Sequence, residues 1–124
     1  MRSILLVEDN EDIRAITEIA LRHESRFDVV AAEGGEGALR EVQGRPFDAI
    51  VLDVMMPGMD GPETLAAIRQ LPAARNTPVI FLTAKAQPRE IQRLLDLGAV
   101  GVITKPFDPL GLGAKVEEML GVSR

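Results

Sequence analysis

Five short apolar segments recur along the chain and predict β-strands. Most are rich in Val and Ile, and they are continuously apolar instead of alternating with polar residues. Continuous runs of this length are typical of strands that are covered on both faces, as in a parallel sheet. The predicted strands span 3–7, 28–32, 49–52, 79–82 and 100–104.

Helical patterns fill the intervals between the strands. Apolar residues recur there at three- and four-residue spacing, which places them on one face of a helix. The predicted stripes are Ile13, Ile16 and Ala20 in the first helix, Ile91, Leu94 and Leu95 in the fourth, and Leu112, Val116 and Leu120 in the last.

Pro and Gly predict where several helices begin and end. Pro62 and Pro109 each follow an Asp-containing turn, which places proline in the first turn of a helix, where a missing N–H costs nothing. Gly98 and Gly44 follow helical segments and are predicted to end them in the left-handed conformation.

Alternating strands and helices predict an α/β fold with one parallel sheet. Right-handed crossovers place helices on both faces of such a sheet, and ligands bind at the carboxyl ends of its strands. The 124 residues match one ordinary domain, so we expect a single domain over 1–124.

Composition and charge argue against several classes of function. The formal charge of −5 argues against direct binding of nucleic acid or an anionic membrane. The absence of Cys excludes disulfides and thiolate sites, no apolar run has the length of a membrane span, and Met1 leads directly into a strand. We therefore expect a cytoplasmic protein. The lone His23 is predicted to be a solvated surface residue.

Chemically useful side chains follow four of the five predicted strands. Glu8 and Asp9 follow the first, and Asp53, Thr83 and Lys105 close the third, fourth and fifth. The second strand ends in alanine, as expected at a sheet edge away from a ligand crevice. The strand order 2-1-3-4-5 fits this distribution, because it makes the first and third strands neighbours at the switch point.

Three carboxylates at one rim predict a site for a hard divalent cation. Mg²⁺ is the expected ion and Mn²⁺ is possible, because no thiol or second imidazole is present. An ion there would offset the repulsion between the carboxylates and could hold a phosphoryl oxygen. Lys105 and Thr83 supply a charge and a hydroxyl for the same group, and Asp53 is placed to attack phosphorus as a nucleophile.

Other interpretations stay open at this point. Glu11 and Asp12 are better explained as charges in the first turn of a helix than as site residues. A Mg²⁺-dependent phosphohydrolase with Asp53 as nucleophile would use similar groups, although Met55 stands where such enzymes carry a general acid. A phosphorylation-independent interaction domain and a flavin-binding module are weaker alternatives, the latter because Trp and Tyr are absent.

Four motifs resemble the receiver domain of two-component response regulators, the family of the bacterial chemotaxis regulator. They are ILLVEDNEDIR at 4–14, DAIVLDVMMPGMDG at 48–61, PVIFLTA at 78–84 and GAVGVITKPF at 98–107. Their order and spacing are those of the family. The resemblance implies a flavodoxin-like, doubly wound (βα)5 fold and a phosphorylated signalling domain that is not an enzyme.

The resemblance also implies roles for individual residues. Asp53 would be the phosphoacceptor, assisted by Thr83 and Lys105. The metal would be held by Asp9, Asp53, the backbone carbonyl of Met55 and, through water, Glu8. The Lys105–Pro106 bond would be cis.

The implied partners are proteins. A histidine kinase or phosphotransfer protein would donate the phosphoryl group, small phosphodonors could substitute, and an unknown downstream protein would read the result. The output face would comprise the fourth helix, fifth strand and fifth helix, and its switch residues would be Thr83, Ala84, Lys85, Val102, Pro106 and Phe107. Val102 departs from the family, which often carries an aromatic residue at this position.

No output module is expected after the fifth helix, which is compatible with a stand-alone receiver or one excised from a larger regulator. The protein is expected to be a monomer or a weak, phosphorylation-dependent dimer.

Overall fold

A computed structural model describes residues 2–121, so Met1 and residues 122–124 of the predicted domain lie outside the described part. The strands are β1 Arg2–Val7, β2 Phe27–Ala32, β3 Ala49–Asp53, β4 Val79–Thr83 and β5 Gly101–Thr104. The helices are α1 Glu11–Arg22, α2 Gly35–Gly44, α3 Gly61–Arg69, α4 Pro88–Asp96 and α5 Leu112–Met119, and a 3-10 turn covers His23–Ser25. The five predicted strands are confirmed with small shifts at their ends. Val100 is excluded from β5.

All strand pairs are parallel, in the order β2-β1-β3-β4-β5. This is the predicted order, with β1 and β3 side by side at the switch point. Alternate side chains of the strands feed two hydrophobic clusters, one on each face of the sheet. The first cluster includes residues of α2, α3 and α4, and the second includes residues of α1 and α5. Burial on both faces explains why the strands are continuously apolar.

Helix α1 presents a different face to the core than its apolar pattern predicts. Its buried residues are Thr17, Ala20 and Leu21, whereas Ile16 is 53% exposed. Thr17 tolerates burial because its hydroxyl donates to the carbonyl oxygen of Ile13 at 2.6 Å. The predicted Ile13–Ile16–Ala20 stripe is therefore only partly correct.

The helix-end predictions have mixed outcomes. Pro62 lies in the first turn of α3, and Gly98 ends the α4 segment with φ +109°. Gly44 is instead the last residue of α2, which is followed by the extended residue Arg45. Helix α5 begins three residues beyond Pro109, because Asp108 accepts the N–H of Leu110 and forms a separate turn.

Candidate functional site

Three strands of the sheet, the adjacent β1 and β3 and the more distant β5, bring the predicted polar groups to one rim. β1 ends immediately before Glu8, β3 ends at Asp53, and Lys105 follows β5. Glu8 and Asp53 are buried, with exposed fractions of 1% and 3%. Charged groups so far from water must be compensated by partners within the site.

An acidic cluster forms where β1 and β3 meet. One carboxylate oxygen from each of Glu8, Asp9 and Asp53 lies within 4.8 Å of the others. Asp9 comes from the loop after β1 and is more exposed than its two neighbours. Carboxylate oxygens at this spacing are the donor set that a hard divalent cation prefers.

Lys105 joins the two buried carboxylates. Its ammonium nitrogen lies 2.7 Å from Asp53 Oδ1 and 3.0 Å from Glu8 Oε1. The lysine reaches them because the backbone N–H of Lys105 donates to the carbonyl oxygen of Thr83 at 2.7 Å, which extends the β4–β5 pairing by one residue. One cation thus compensates two carboxylates that are adjacent in space but distant in sequence.

Burial dominates the electrostatics of the site. It raises the pKa of Glu8 and of Asp53, and the hydrogen bonds from Lys105 oppose this shift without cancelling it. Burial also disfavours the charged form of Lys105, but its bonds to Asp53 and Glu8 prevail and raise its pKa. Lys105 is therefore a cation at neutral pH, next to carboxylates that are costly to ionise.

The loop between β1 and α1 is fixed by hydrogen bonds that the sequence analysis did not anticipate. Glu8 Oε2 accepts the backbone N–H of Asn10 at 3.1 Å, and the Asn10 side chain caps α1 by accepting the N–H of Ile13. Arg14 Nη1 donates to the carbonyl oxygens of Glu8 at 3.0 Å and Asp9 at 3.4 Å. Glu11 and Asp12 lie exposed in the first helical turn, as predicted.

Thr83 is buried at the end of β4, one residue beyond Leu82, the register partner of Asp53. Its hydroxyl oxygen accepts the backbone N–H of Lys85 at 3.0 Å. This bond fixes the start of the loop that leads to α4. The structure places Thr83 at the predicted rim, but its hydroxyl is bonded to the backbone of the following loop.

The start of α3 packs closely against the backbone at the end of β3. A Cβ atom on Gly61 would lie 2.6 Å from the carbonyl oxygen of Asp53 and 2.8 Å from Val54 Cα. The backbone N–H of Gly61 donates to the carbonyl oxygen of Val54 at 2.9 Å. Only glycine permits the helix to begin this close to the end of β3.

The remaining predicted residues surround the rim. Met55 is 62% exposed in the loop after β3, and Ala84 and Lys85 are exposed after β4. Val102 is half-buried on β5 and packs against the first hydrophobic cluster. The Lys105–Pro106 peptide bond is cis, as the resemblance implied.

An apolar groove of about 350 Å³ adjoins the site. Ile13 and Ile16 of α1 form one wall, and Ala84 and the segment after β5 form the rest. Lys105 lines the groove as well as the acidic cluster. The isoleucines that the fold leaves outside the core therefore lie beside the charged site.

Within residues 2–121, no helix combines the length and apolar character needed to cross a membrane.

Comparison with known proteins agrees with this geometry. Residues 4–117 match the response regulator receiver domain family, and the chain belongs to that family. It is 38% identical over 119 residues to the alkaline phosphatase synthesis transcriptional regulatory protein PhoP of Bacillus subtilis, covering 96% of this chain and 48% of PhoP. The chain thus spans about half the length of this curated relative.

Solved receiver structures superpose closely. The Vibrio cholerae chemotaxis protein CheY4 has a TM-score of 0.88 and 33% identity, covering 96% of this chain and 98% of CheY4. The receiver domain of the Pseudomonas aeruginosa sensor histidine kinase PA1611, solved with a magnesium ion coordinated in its active site cleft, has a TM-score of 0.84 and 31% identity, covering 97% and 98% of the two chains. The protein is therefore a CheY-like receiver domain, a phosphorylation-activated switch of two-component systems.

Proposed function

We propose that Asp53 is the phosphoacceptor of this receiver domain and that the acidic cluster binds Mg²⁺ during phosphorylation. The observation that carries the proposal is the convergence of Glu8, Asp9, Asp53 and Lys105 at one rim. Asp53 and Glu8 are both buried, both pair with the ammonium and both belong to the acidic cluster, and the resemblance of 48–61 to the receiver-domain motif favours Asp53 as the acceptor.

The donor set fits magnesium. Asp9 and Asp53 would bind the ion directly, the Met55 carbonyl would add a third protein oxygen, and Glu8 would act through a coordinated water. Mg²⁺ usually takes one or two carboxylates and keeps several waters. The PA1611 receiver domain, with its magnesium ion, supports this choice. When bound, the ion would neutralise charge that develops on the transferred phosphoryl oxygens. Mn²⁺ could replace it.

The reaction is phosphoryl transfer from a phosphohistidine. An Asp53 carboxylate oxygen forms a bond to phosphorus while the bond between phosphorus and the imidazole nitrogen of the donor breaks, leaving neutral imidazole after proton uptake. The product is an acyl phosphate. Lys105 is close enough to Asp53 to donate to a phosphoryl oxygen, which would replace its present bond to the carboxylate.

Phosphorylation would be transmitted through Thr83. A phosphoryl oxygen near Asp53 would accept a hydrogen bond from the Thr83 hydroxyl, and movement of the side chain towards it would lengthen the bond that the hydroxyl now accepts from the Lys85 N–H. The loop over 83–88 would then move and alter the face formed by α4, β5 and α5, including Ala84, Lys85, Pro106 and Phe107. Val102 has no aromatic ring that could rotate inward. A smaller rearrangement of the side chains around Val102 would therefore accompany the movement of the loop.

The phosphodonor would be a histidine kinase or a phosphotransfer protein. The histidine of the donor protein must reach Asp53. The surface of the donor must therefore contact the rim, where the apolar groove of Ile13 and Ile16 begins. An apolar surface beside a buried acceptor suits a protein donor better than a small anion. A cytoplasmic location, the downstream partner and a monomeric or weakly dimeric state remain predictions.

The test uses intact-mass measurement after incubation with Mg²⁺ and acetyl phosphate. One labile phosphoryl group is expected on wild type and none on Asp53→Asn. Equal labelling of the variant would overturn the acceptor assignment. Sustained turnover of a phosphomonoester would favour the phosphohydrolase alternative over a switch.

A further inference from the structure

Arg14 makes contacts that the proposed chemistry does not use. Its side chain is half-buried, and a single nitrogen, Nη1, donates to two consecutive carbonyl oxygens, those of Glu8 and Asp9. Its backbone N–H donates to the next carbonyl, that of Asn10, at 2.8 Å. Arg14 therefore binds the backbone that carries both acidic residues of the β1–α1 loop.

These bonds hold the loop from the helix side. On the other side, the N–H of Glu8 donates to the carbonyl oxygen of Ala32 at 3.1 Å, which continues the β1–β2 pairing. Asp9 has no comparable backbone bond from the sheet among the described hydrogen bonds, so the guanidinium is the group that restrains its carbonyl. Restraining this carbonyl restrains the direction of the Asp9 carboxylate.

The charge of Arg14 serves a different purpose from that of Lys105. Lys105 pairs with carboxylate oxygens, whereas the guanidinium of Arg14 is directed to main-chain carbonyls. A positive charge near a cation site weakens cation binding by repulsion, so charge alone would make Arg14 unfavourable for a metal. Holding the ligands in the correct orientation, in contrast, would strengthen cation binding.

We propose that Arg14 is a positioning residue for the divalent cation site. By holding the Glu8 and Asp9 carbonyls, it fixes the loop in the conformation that keeps the acidic cluster together before the ion arrives. This inference rests on the proposed metal binding by that cluster. Groups that orient metal ligands typically contribute 10- to 100-fold to affinity.

The experiment measures Mn²⁺ binding directly, by electron paramagnetic resonance of the free ion, without phosphorylation. Arg14→Met keeps an apolar stem and removes the donors, and we expect it to weaken Mn²⁺ binding about tenfold. Unchanged or tighter binding would overturn the proposal, and tighter binding is what loss of charge repulsion alone predicts. The sign of the change therefore separates the two explanations.

Arg22→Met is the matched control. Arg22 lies on the same helix and also donates to a backbone carbonyl, that of Val29 at 2.6 Å, but at the end remote from the site. We expect its Mn²⁺ affinity to equal that of wild type. A tenfold loss of Mn²⁺ affinity in Arg22→Met as well would show that Arg14 has only a general structural role, and it would overturn the proposal.

Two further measurements separate the possible failures. Asp9→Asn should greatly weaken Mn²⁺ binding; if it does while Arg14→Met is unchanged, the proposed metal site stands and this inference fails. Absence of Mn²⁺ binding by the wild-type protein would overturn both the proposed metal site and the inference about Arg14. If Arg14→Met does not fold, as judged by far-ultraviolet circular dichroism without metal, Arg14→Lys takes its place. Its side chain is one bond shorter with the same charge, so affinity equal to wild type would overturn the proposal.

Discussion

The ammonium nitrogen of Lys105 lies 2.7 Å from Asp53 Oδ1 and bonds to Glu8 at the same time. In the absence of a divalent ion, this lysine is the cation closest to the buried carboxylates. The site is thus partly compensated by its own lysine, and an arriving ion would add a second source of positive charge. This relationship determines how stability responds to substitution, pH and metal.

Replacing Lys105 should make the stability of the protein depend more strongly on metal. Without divalent ions at neutral pH, Lys105→Met is expected to lower the free energy of unfolding by about 1–3 kcal/mol, because Glu8 and Asp53 lose a charged donor. Mg²⁺ should stabilise this variant more than wild type, since the ion replaces the missing charge. Urea unfolding followed by circular dichroism, with and without Mg²⁺, measures both effects. Lys115→Met, on the exposed side of α5, is the control and should show no extra response.

The raised pKa of Asp53 predicts a pH-dependent effect of its removal. Because burial raises this pKa above its ordinary value of 3.8, the folded protein binds the proton more tightly than the unfolded chain. The stabilisation that comes from this tighter proton binding is fully present below pH 3.8, and it is lost as the pH rises through the raised pKa of Asp53 in the folded protein. Without metal, Asp53→Asn should therefore be more stable than wild type at neutral pH, and this advantage should shrink as the pH falls.

Urea unfolding at a series of pH values tests this expectation. Asp96→Asn, which replaces an exposed carboxylate on α4, serves as the comparison. An advantage of Asp53→Asn that grew on acidification would contradict the sign derived from burial.

The Thr83 hydroxyl should control the backbone of the following loop. Thr83→Val removes the acceptor of the Lys85 N–H and is expected to cost about 1 kcal/mol of stability. Hydrogen exchange at the Lys85 amide should become faster in this variant. Thr83→Ser keeps the hydroxyl and should retain most of the protection. Equal exchange rates in the Val and Ser variants would show that the hydroxyl does not hold the loop.

Gly61 should be among the least replaceable residues near the site. A Cβ atom there meets backbone atoms of Asp53 and Val54, which cannot move without shifting β3, so Gly61→Ala should cost about 1–3 kcal/mol. Gly44→Ala is the matched control, because nothing lies within 4 Å of a Cβ at that helical position. It should stabilise the protein by about 0.4–1 kcal/mol. Thermal unfolding of the two variants in parallel tests both signs.

The fold and the charged members of the site were predictable because they depend on simple patterns. Continuous apolar strands require burial on both faces, and the polar residues at the end of β3 and directly after β1 and β5 mark one rim. Their convergence follows from the strand order. Neither prediction requires knowledge of side-chain conformation.

The details that escaped prediction depend on where individual polar atoms find partners. Thr17 can be buried because its hydroxyl bonds to the Ile13 carbonyl, whereas Ile16 lies exposed. Arg14 binds main-chain oxygens, which have no signature in the sequence. The start of α5 was misplaced because Asp108 caps a turn instead of the helix. Such choices are made by hydrogen bonds of about 1 kcal/mol each, below what residue patterns resolve.

The bond between Glu8 and Lys105 joins residues 97 positions apart and so encloses most of the chain. Because the ribosome synthesises the chain from its N-terminus, Lys105 is the last of the charged groups of the site to be made. A nascent chain that has reached β4 contains Glu8 and Asp53 but not the lysine that compensates them in the folded protein. This ion pair is therefore among the last contacts of the site that can form during translation.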